Sequence, residues 1–474
     1  MNTTQFYMGG AWVDPHGTAT LEVMNPATDA VITTLPCADT TDVDGAVQAA
    51  RQAFDHFSRW TVQERIELLT RINDGLKRRN DEMGALISQE MGAPLGMACN
   101  LQAPSGTQHF SEIIRVLKEH AFSTTTRGGT LVRQEPIGVC ALITPWNWPM
   151  NQIATKVAPA LAAGCTVVLK PSEVAPLDAI LLAEVMQEAG VPDGVFNLIH
   201  GRGVDMGDAL TGHPDVDMVS FTGSTRAGIA ISQSAAPSIK RVSLELGGKS
   251  AGIVAPDAEP DAIVTDIVDN AMLNSGQSCN ALTRVLLPNE RYDEFAGAIA
   301  DAVGGLTVGQ PGDGPDLGPV ASEAQYEKVQ EYIQVGLSEG ATLLAGGPGR
   351  PAGMTTGCFV KPTLFGDVTP DMTLAREEIF GPVLVLMRYD TVDDAIRIAN
   401  DSPYGLSGFV WSADHDQAVA IADRMRTGMV HINGAGLDSG APFGGYKQSG
   451  NGREWGEYGL HEFLELKSIY GGAK

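Results

Sequence analysis

The sequence predicts an α/β protein with a doubly wound, mostly parallel sheet and a second α/β unit. Through the middle of the chain, short β-rich runs alternate with helical periods, which is typical of parallel strands joined by crossover helices. The same alternation resumes from residue 284 onward. Two further strand-like segments, Gly128–Ile137 and Glu465–Tyr470, belong to no such unit, and we expect them to pair as an assembly surface.

The individual elements follow from hydrophobic runs bounded by turn residues. Strands are predicted at Val139–Ile143, Thr166–Leu169, Val195–Ile199, Met218–Phe221, Arg241–Leu246, Gly252–Val254, Arg284–Leu287 and Val383–Met387. Helices are predicted at Pro176–Glu188, Ala227–Ser234, Asp261–Leu273, Tyr292–Val303 and Asp393–Ala399. A proline at the start of the first of these helices and Gly190 just after its end are typical helix boundaries.

Length and charge exclude several classes of protein. The 474 residues allow two to four domains at roughly 100–200 residues each, and 43% apolar with 19% charged residues disfavours intrinsic disorder. The 32 basic and 57 acidic residues give a net charge of −25. Such a surface repels nucleic acid and anionic membranes, so we expect neither as a partner, although a local phosphate pocket stays possible.

The chain shows no sign of export, membrane insertion or metal binding. The N-terminus lacks a basic stretch followed by an apolar run, and the longest apolar run, Val157–Leu169, is too short to span a bilayer. The six cysteines form no CxxC pair, and the nine histidines form no HxxxH or HExxH pattern. We therefore expect a cytoplasmic, metal-free protein with reduced thiols.

Two glycine-rich segments are candidates for phosphate binding. In His200–Asp208 the dinucleotide fingerprint expects a glycine where Met206 stands, so a plain loop fits that segment equally well. The segment FTGSTRAG at 221–228 follows a predicted strand and opens a helix, which would turn free backbone N–H groups toward an anion. Lys170 and Glu173 follow another strand, either as ribose or phosphate ligands or as an exposed helix start.

Three residues are candidates for catalysis, each with a second interpretation. Cys279 stands in a polar, loop-like context, unlike Cys140 and Cys165 in apolar strands, but most cysteines are small buried hydrophobes. Glu245 ends a strand between two leucines; it is either a buried general base or an edge-strand carboxylate that points to water. Asn147 is either an oxyanion donor or an ordinary turn residue.

Taken together and in order, seven segments resemble the NAD(P)-dependent aldehyde dehydrogenase superfamily, and the likeness extends from Tyr7–Val13 to the C-terminal strand. The segments are PWN at 145–147, KPSE at 170–173, FTGSTRAG at 221–228, LELGGK at 244–249, GQSCN at 276–280, EEIFGP at 377–382 and PFGGYKQSGNGRE at 442–454.

The resemblance implies an aldehyde-dehydrogenase-like fold with three regions. They are a Rossmann-type dinucleotide-binding domain (1–117 and 138–247), an α/β catalytic domain (248–447) and a small β oligomerisation region (118–137 and 448–474). The last of these implies a homodimer or homotetramer.

The resemblance also implies roles for matched residues. Cys279 would be the nucleophile, Glu245 the general base, Asn147 the oxyanion donor and Lys156 an aid to proton movement. The implied cofactor-binding residues are Thr144, Trp146, Lys170, Ser172, Glu173, Gly203, Gly223, Ser224, Leu246, Glu378 and Phe380. The implied substrate-pocket residues are Trp148, Asn151, Gln152, Thr155, Leu273, Ser278, Asn280, Leu437 and Phe443.

The implied activity is NAD(P)-dependent oxidation of an aldehyde to the carboxylic acid, through a thiohemiacetal and a thioester on cysteine. We expect NAD to be preferred, with NADP possible, because Glu173 would repel a 2′-phosphate. The polar Asn151, Gln152 and Thr155 favour a medium-sized aromatic or polar-substituted aldehyde. The alternatives are a catalytically silent structural relative, which the intact catalytic set disfavours, and a coenzyme A-acylating semialdehyde dehydrogenase, which Glu245 disfavours.

Overall fold

The computed structural model describes residues 1–472, with twenty strands and sixteen α-helices in that range. In chain order the strands are β1 (Phe6–Met8), β2 (Ala11–Val13), β3 (Thr20–Asn25), β4 (Ala30–Pro36), β5 (Ser123–Thr125), β6 (Leu131–Pro136), β7 (Val139–Ile143), β8 (Thr166–Lys170), β9 (Phe196–Leu198), β10 (Met218–Thr222), β11 (Arg241–Glu245), β12 (Ser250–Val254), β13 (Leu282–Pro288), β14 (Thr342–Ala345), β15 (Thr363–Gly366), β16 (Val383–Tyr389), β17 (Ser407–Trp411), β18 (Met429–Ile432), β19 (Gly450–Asn451) and β20 (Leu464–Ile469).

The helices lie mainly between these strands. They are α1 (Thr40–Phe57), α2 (Val62–Arg78), α3 (Asn80–Met91), α4 (Leu95–Met97), α5 (Ala103–Glu119), α6 (Pro149–Ala163), α7 (Leu177–Glu188), α8 (Gly203–Thr211), α9 (Thr225–Ala235), α10 (Pro260–Met272), α11 (Tyr292–Gly304), α12 (Glu323–Glu339), α13 (Thr373–Arg376), α14 (Val392–Asn400), α15 (His415–Ala422) and α16 (Gly456–Glu462). Each strand and helix predicted from the sequence is present, with ends that differ by a few residues.

The first sheet has the order β19-β11-β10-β7-β8-β9-β1-β2, and its five central strands are parallel. The parallel strands begin in the middle at β7, continue through β8 and β9 on one side, and then cross to β10 and β11 on the other. A crevice therefore opens at the carboxyl ends of β7 and β10, where doubly wound sheets bind their ligands. The predicted fold class is confirmed.

The second sheet has the order β14-β15-β16-β13-β12-β17-β18, and only β14 runs antiparallel. Its central strands β12, β13 and β17 are largely buried on both faces, because helices cover each side. The segment between α10 and β13 carries Cys279 to the boundary with the first sheet.

The two isolated strand segments pair as expected. β6 and β20 run antiparallel, from Leu131 opposite Ile469 to Pro136 opposite Leu464, and β5 completes a three-stranded sheet. The C-terminal region also supplies β19, which covers the edge of β11 by pairing Gly450 with Glu245. The domain boundaries themselves stay a prediction.

The apolar core matches the sequence analysis at two cysteines. Cys140 and Cys165 are fully buried, as predicted for core residues. No helix between residues 1 and 472 combines the length and the apolar character needed to cross a membrane.

Candidate active site

Two cavities meet at Cys279. One has a volume of about 470 Å³ and the other about 210 Å³, and both are lined by this cysteine. The smaller cavity lies at the carboxyl ends of β10 and β11, and the larger one extends past the first turn of α6. Among the residues described, Cys279 alone lines both, so its thiol stands between two separate binding spaces.

The backbone before Cys279 is held in an uncommon conformation. Asn274, Ser275 and Gly276 have φ values of 57°, 55° and 69°, in the left-handed region that side chains disfavour. A Cβ on Gly276 would lie 2.2 Å from the carbonyl oxygen of Gly381, so only glycine fits this contact. Such strain is common at functional sites and fixes where the thiol points.

Asn147 is one of the groups that hold this loop. Its Nδ2 donates to the carbonyl oxygen of Gln277 at 3.0 Å, and its own carbonyl accepts from Nδ2 of Asn274 at 2.7 Å. The side chain is 97% buried. An amide carries two N–H donors, so one remains to stabilise negative charge near Cys279. Asn147 is therefore more than a turn residue.

Glu245 is buried, which rules out the interpretation of a water-facing edge carboxylate. The residue is 2% exposed, because β19 covers the edge of β11. Burial, and then the carboxylate of Glu454, raise the pKa of Glu245 well above its usual value. Neither carboxyl oxygen has a hydrogen-bond partner among residues 1–472. A carboxyl group kept in this way is suited to take a proton from water or from a thiol.

Lys156 does not contact Glu245 by hydrogen bond but pairs with Glu454. Its Nζ lies 2.5 Å from Oε1 of Glu454 and donates to Oγ of Ser220 at 3.1 Å. The sequence analysis did not single out Glu454, although it closes the segment at 442–454. The charge of Glu454 at the end of a glycine-rich segment could have marked it as a functional residue. Its partner Lys156 lies 298 residues away in the sequence, so the pair could not be predicted.

The surroundings of the thiol are acidic. Burial, followed by the carboxylates of Glu245, Glu378 and Glu454, raises the pKa of Cys279 far above its usual value. The resting thiol is therefore protonated near neutral pH and needs a proton acceptor before it can attack. Glu245 lines the same small cavity, and of these carboxylates it has the largest effect on the pKa of Cys279.

The smaller cavity is built around the start of α9. Ser224 caps this helix by accepting from the N–H of Ala227 at 3.3 Å, and the first turn leaves backbone N–H groups free for an anion. Gly228 allows close packing, since a Cβ there would lie 2.8 Å from Leu246. Six predicted cofactor residues line this cavity: Trp146, Gly223, Ser224, Leu246, Glu378 and Phe380.

The far wall of the smaller cavity comes from the second α/β unit. Glu378 accepts from the N–H of Gly248 at 2.9 Å, and the ring of Phe380 meets Trp146 edge to face at 5.5 Å. Gln325 donates to the carbonyl oxygen of Phe380 at 2.6 Å. Gln325 and Lys328 line the cavity without having been predicted, because α12 carries no recognisable motif. Thr222 also lines it and was not singled out, although it lies in the segment FTGSTRAG.

The remaining predicted cofactor residues lie beyond the cavity. Thr144 and Ser172 are buried after β7 and β8, and Lys170 pairs with Glu173 at 2.9 Å. Glu173 lines a separate cavity of about 560 Å³ next to Arg202. The exposed Gly203 opens α8 and lines neither of the two cavities at Cys279.

The larger cavity has a neutral wall. Eight of the nine predicted pocket residues line it: Trp148, Asn151, Gln152, Leu273, Ser278, Asn280, Leu437 and Phe443. Thr155 does not; its hydroxyl donates to the carbonyl oxygen of Gln152, and it faces a small pocket behind Trp455. Thr155 lies on the same face of the helix as Asn151, one turn further along, but Trp455 lines both the larger cavity and this small pocket and so separates Thr155 from the larger cavity.

His109 fixes one side of that wall. Its Nε2 lies 2.7 Å from Oδ1 of Asn151, and burial lowers its pKa, so the imidazole is neutral. None of the residues described along this cavity is an aspartate, glutamate, lysine or arginine. The sequence analysis missed His109 and Trp455, which come from α5 and from the turn before α16.

A doubly wound sheet with an anion-binding helix start, opening onto a half-buried thiol and a buried carboxyl, defines a cysteine-dependent oxidoreductase. The profile of the Aldehyde dehydrogenase family matches residues 12–469, and the chain belongs to that family.

The chain is similar to known dehydrogenases over nearly its whole length. The 3-succinoylsemialdehyde-pyridine dehydrogenase of a Pseudomonas species is 52% identical over 98% of this chain and 98% of its own length. Aldehyde dehydrogenase C of Pseudomonas syringae, a mutant solved with NAD+ and octanal, is 47% identical with a TM-score of 0.98, covering 99% and 97% of the two chains. An aldehyde dehydrogenase of Mycobacterium tuberculosis, complexed with NAD+, is 41% identical with a TM-score of 0.96, covering 98% and 97%.

Proposed function

We propose that this protein oxidises an aldehyde to the carboxylic acid with NAD+, using Cys279 as nucleophile and Glu245 as general base. The observation that carries the proposal is the position of Cys279 between two cavities. One cavity has the features of a nucleotide site, and the other is a neutral pocket of about 470 Å³ that suits a medium-sized organic molecule.

The smaller cavity suits the nicotinamide and pyrophosphate part of the dinucleotide. The free N–H groups at the start of α9 suit the pyrophosphate, and the carboxylate of Glu378 suits the hydroxyls of a ribose. Phe380 and Trp146 offer aromatic surface for the nicotinamide. The buried hydroxyl of Thr222 has no partner in the described chain and provides a further polar contact. When bound, NAD+ supplies the acceptor for a hydride.

The protein's residues carry out the remaining steps. Glu245 takes the thiol proton, and Sγ of Cys279 adds to the aldehyde carbon to give a thiohemiacetal oxyanion. Asn147 stabilises that oxyanion with its second N–H. Loss of hydride from this carbon leaves a thioester on Cys279. Glu245 releases the thiol proton to solvent and is again a base. It then removes a proton from water, which attacks the thioester; the acid leaves, and this second proton goes to the sulfur of Cys279.

Two observations disfavour the other readings of this site. A silent structural relative would not need a strained, acid-flanked thiol beside a buried carboxyl with unpartnered oxygens. Transfer of the acyl group to coenzyme A would not need a general base for water, which is the role that Glu245 fits.

The neutral larger cavity supports an uncharged substrate. A carboxylate or ammonium group of a substrate, if buried in this cavity, would have no counter-ion among the lining residues. The aromatic pair Phe443 and Trp455, with ring centroids 4.7 Å apart, suits an apolar or aromatic part, and Asn151 and Gln152 suit a hydrogen-bonding group. The name of the Pseudomonas relative, which denotes a pyridine-bearing semialdehyde, agrees with such a molecule.

Kinetics of NADH formation test the proposal. We expect turnover of uncharged aryl or keto aldehydes, with lower kcat/KM for succinate semialdehyde and betaine aldehyde. Cys279→Ala should abolish activity on all of them, whereas Cys99→Ala, at a thiol outside both cavities, should keep it. Activity retained in Cys279→Ala would overturn the mechanism, and a preference for a charged aldehyde would overturn the substrate class.

Assembly and location follow as further parts of this proposal. The outer strands β5 and β20 of the three-stranded sheet are largely exposed, with Leu466 at 73%, and such edges favour a homodimer or homotetramer. All six cysteines are free thiols, which supports a reducing, cytoplasmic location. Light scattering that reports a monomer of 50.0 kDa at micromolar concentration would overturn the assembly.

A further inference from the structure

Three potential metal ligands meet outside the active site, where the end of α5 contacts α16. They are Nδ1 of His120, a carboxyl oxygen of Glu457 and Nε2 of His461, and these atoms all lie within 4.8 Å of one another. His120 follows the last residue of α5, and the other two stand four residues apart on one face of α16. Their rings and carboxylate therefore converge from two elements.

The distances match those of a tetrahedral ion. Oε1 of Glu457 lies 3.2 Å from Nδ1 of His120 and 3.6 Å from Nε2 of His461. Zinc binds imidazole nitrogen and carboxylate oxygen at about 2.0–2.2 Å, so two ligands of a tetrahedral zinc ion stand about 3.3–3.6 Å apart. The two contacts of Glu457 are thus already at the spacing that an ion requires, and the two imidazole nitrogens lie within 4.8 Å of each other.

The buried histidine is oriented for the same purpose. The side chain of His120 is 3% exposed, and its Nε2 lies 3.1 Å from Oε1 of Gln134 on β6. This contact allows Nε2 to give its proton to Gln134, which leaves Nδ1 free to bind an ion next to the carboxylate oxygen of Glu457 at 3.2 Å. A ligating histidine commonly gives its other N–H to such an outer partner.

The two more exposed ligands leave a route to solvent. The side chains of Glu457 and His461 are 58% and 48% exposed. An ion held by three protein groups from this side keeps a fourth position for water. Two imidazoles with one carboxylate favour zinc or a similar transition metal over calcium or magnesium, which prefer oxygen ligands.

We propose that His120, Glu457 and His461 form a transition-metal site that joins the end of α5 to α16. The hydrogen bond between His120 and Gln134 also connects the site to β6, the central strand of the three-stranded sheet. Helix α16 begins directly after Glu454 and Trp455, which line or flank the catalytic centre. The metal would therefore steady the segment that carries both residues, without taking part in the chemistry.

Cobalt(II) titration of the untagged full-length protein tests the site. We expect one Co²⁺ per chain, with the intense visible absorption of four-coordinate cobalt and without the near-ultraviolet sulfur-to-cobalt band that a cysteine site would give. His461→Gln and His120→Phe should each weaken binding by at least about tenfold. His16→Gln is the matched control, since His16 is an exposed histidine that pairs with Asp39 and belongs to no three-ligand cluster among the described residues.

A second measurement keeps the test independent of folding defects. Gln134→Leu removes the outer partner of His120 but no ligand, and should weaken Co²⁺ binding by about tenfold at unchanged stoichiometry. One equivalent of Zn²⁺ should raise the Tm of the wild type by about 2–4 °C and leave that of His461→Gln unchanged. Binding that persists in His461→Gln, a sulfur-to-cobalt band, or less than one Co²⁺ per chain would each overturn the proposal.

Discussion

The ammonium of Lys156 lies 2.5 Å from a carboxylate oxygen of Glu454, and the two side chains are only 1% and 8% exposed. The pair joins α6 of the first α/β unit to the turn before α16. It also lies beside Glu245. The charge of Glu454 raises the pKa of Glu245, and the charge of Lys156 lowers it. The ion pair therefore affects both the stability of the chain and the proton affinity of the general base.

Breaking this pair should be costly. Glu454→Gln leaves the ammonium of Lys156 buried without a counter-charge, and we expect a loss of about 3–5 kcal/mol in the free energy of unfolding, measured in urea. Asp393→Asn, which breaks an exposed pair with Arg424, should cost less than about 1 kcal/mol. The double variant Glu454→Gln/Lys156→Met should recover part of the loss. Equal stability of wild type and Glu454→Gln would contradict a buried ion pair.

The two roles of Glu245 are separated by Glu245→Gln, which keeps the shape but accepts no proton. If Glu245 acts mainly on water, the variant should still release close to one NADH per site in a burst and then stop with an acyl group on Cys279. Stopped-flow absorbance and intact-protein mass spectrometry measure these two quantities. If Glu245 chiefly activates the thiol, whose pKa is raised, the burst itself should slow and recover as the pH rises. Unchanged turnover would exclude both roles.

The oxyanion role of Asn147 predicts a specific loss. Asn147→Ala should lower kcat by about 10²–10³, the usual cost of one oxyanion donor. Because Asn147 also holds Gln277 and Asn274, the rate of Cys279 alkylation by iodoacetamide should be measured beside kcat. A large fall in kcat with little change in alkylation indicates oxyanion binding. Equal falls in both would mean that Asn147 acts only by positioning the cysteine loop.

Cofactor preference is expected to depend on Glu173, whose carboxylate pairs with Lys170 at 2.9 Å. Glu173→Gln removes the charge that repels a 2′-phosphate and frees Lys170 to bind it, so the ratio of kcat/KM for NADP+ to that for NAD+ should rise. Glu119→Gln, at an exposed pair on α5, is the control and should leave the ratio unchanged. A wild type that already prefers NADP+ would refute the role of Glu173.

A buried carboxyl pair outside the active site makes stability depend on pH. Glu90 caps α7 by accepting from the N–H of Leu177 at 2.7 Å and of Asp178 at 3.2 Å, while both side-chain oxygens of Asp178 lack partners in the described chain. Burial raises the pKa of Asp178 above its usual 3.8. The folded state therefore holds a proton that the unfolded state releases, and this stabilisation is lost as the pH rises from about 4 through the raised pKa.

Asp178→Asn tests that pH dependence, because the amide has no proton to lose. Urea midpoints should be compared for wild type and variant at pH 5 and pH 9. We expect the wild type to lose stability relative to Asp178→Asn as the pH rises. Parallel changes in the two proteins would show that Asp178 titrates alike in the folded and unfolded states.

Local patterns in the sequence were sufficient for the fold and much of the site. Apolar runs bounded by Gly and Pro predicted β7, β8 and β10, since burial of a parallel strand needs a continuous apolar run. The loops after such strands meet at one edge of the sheet whatever the details of packing. For that reason the segments around Asn147 and Ser224 were recognisable from the chain alone.

Burial and long-range pairing were decided only by the tertiary structure. Glu245 had two interpretations until β19, two hundred residues later, covered the edge of its strand. The partner of Lys156, the neutral His109 wall and the ligand set of His120 and His461 each join segments from different parts of the chain. Hydrophobic periodicity reports which face of an element is buried but not which distant side chain meets it. The proton affinity of a buried group depends on such contacts, so the sequence left it open. The expectation of a metal-free protein was likewise made without the contact between α5 and α16.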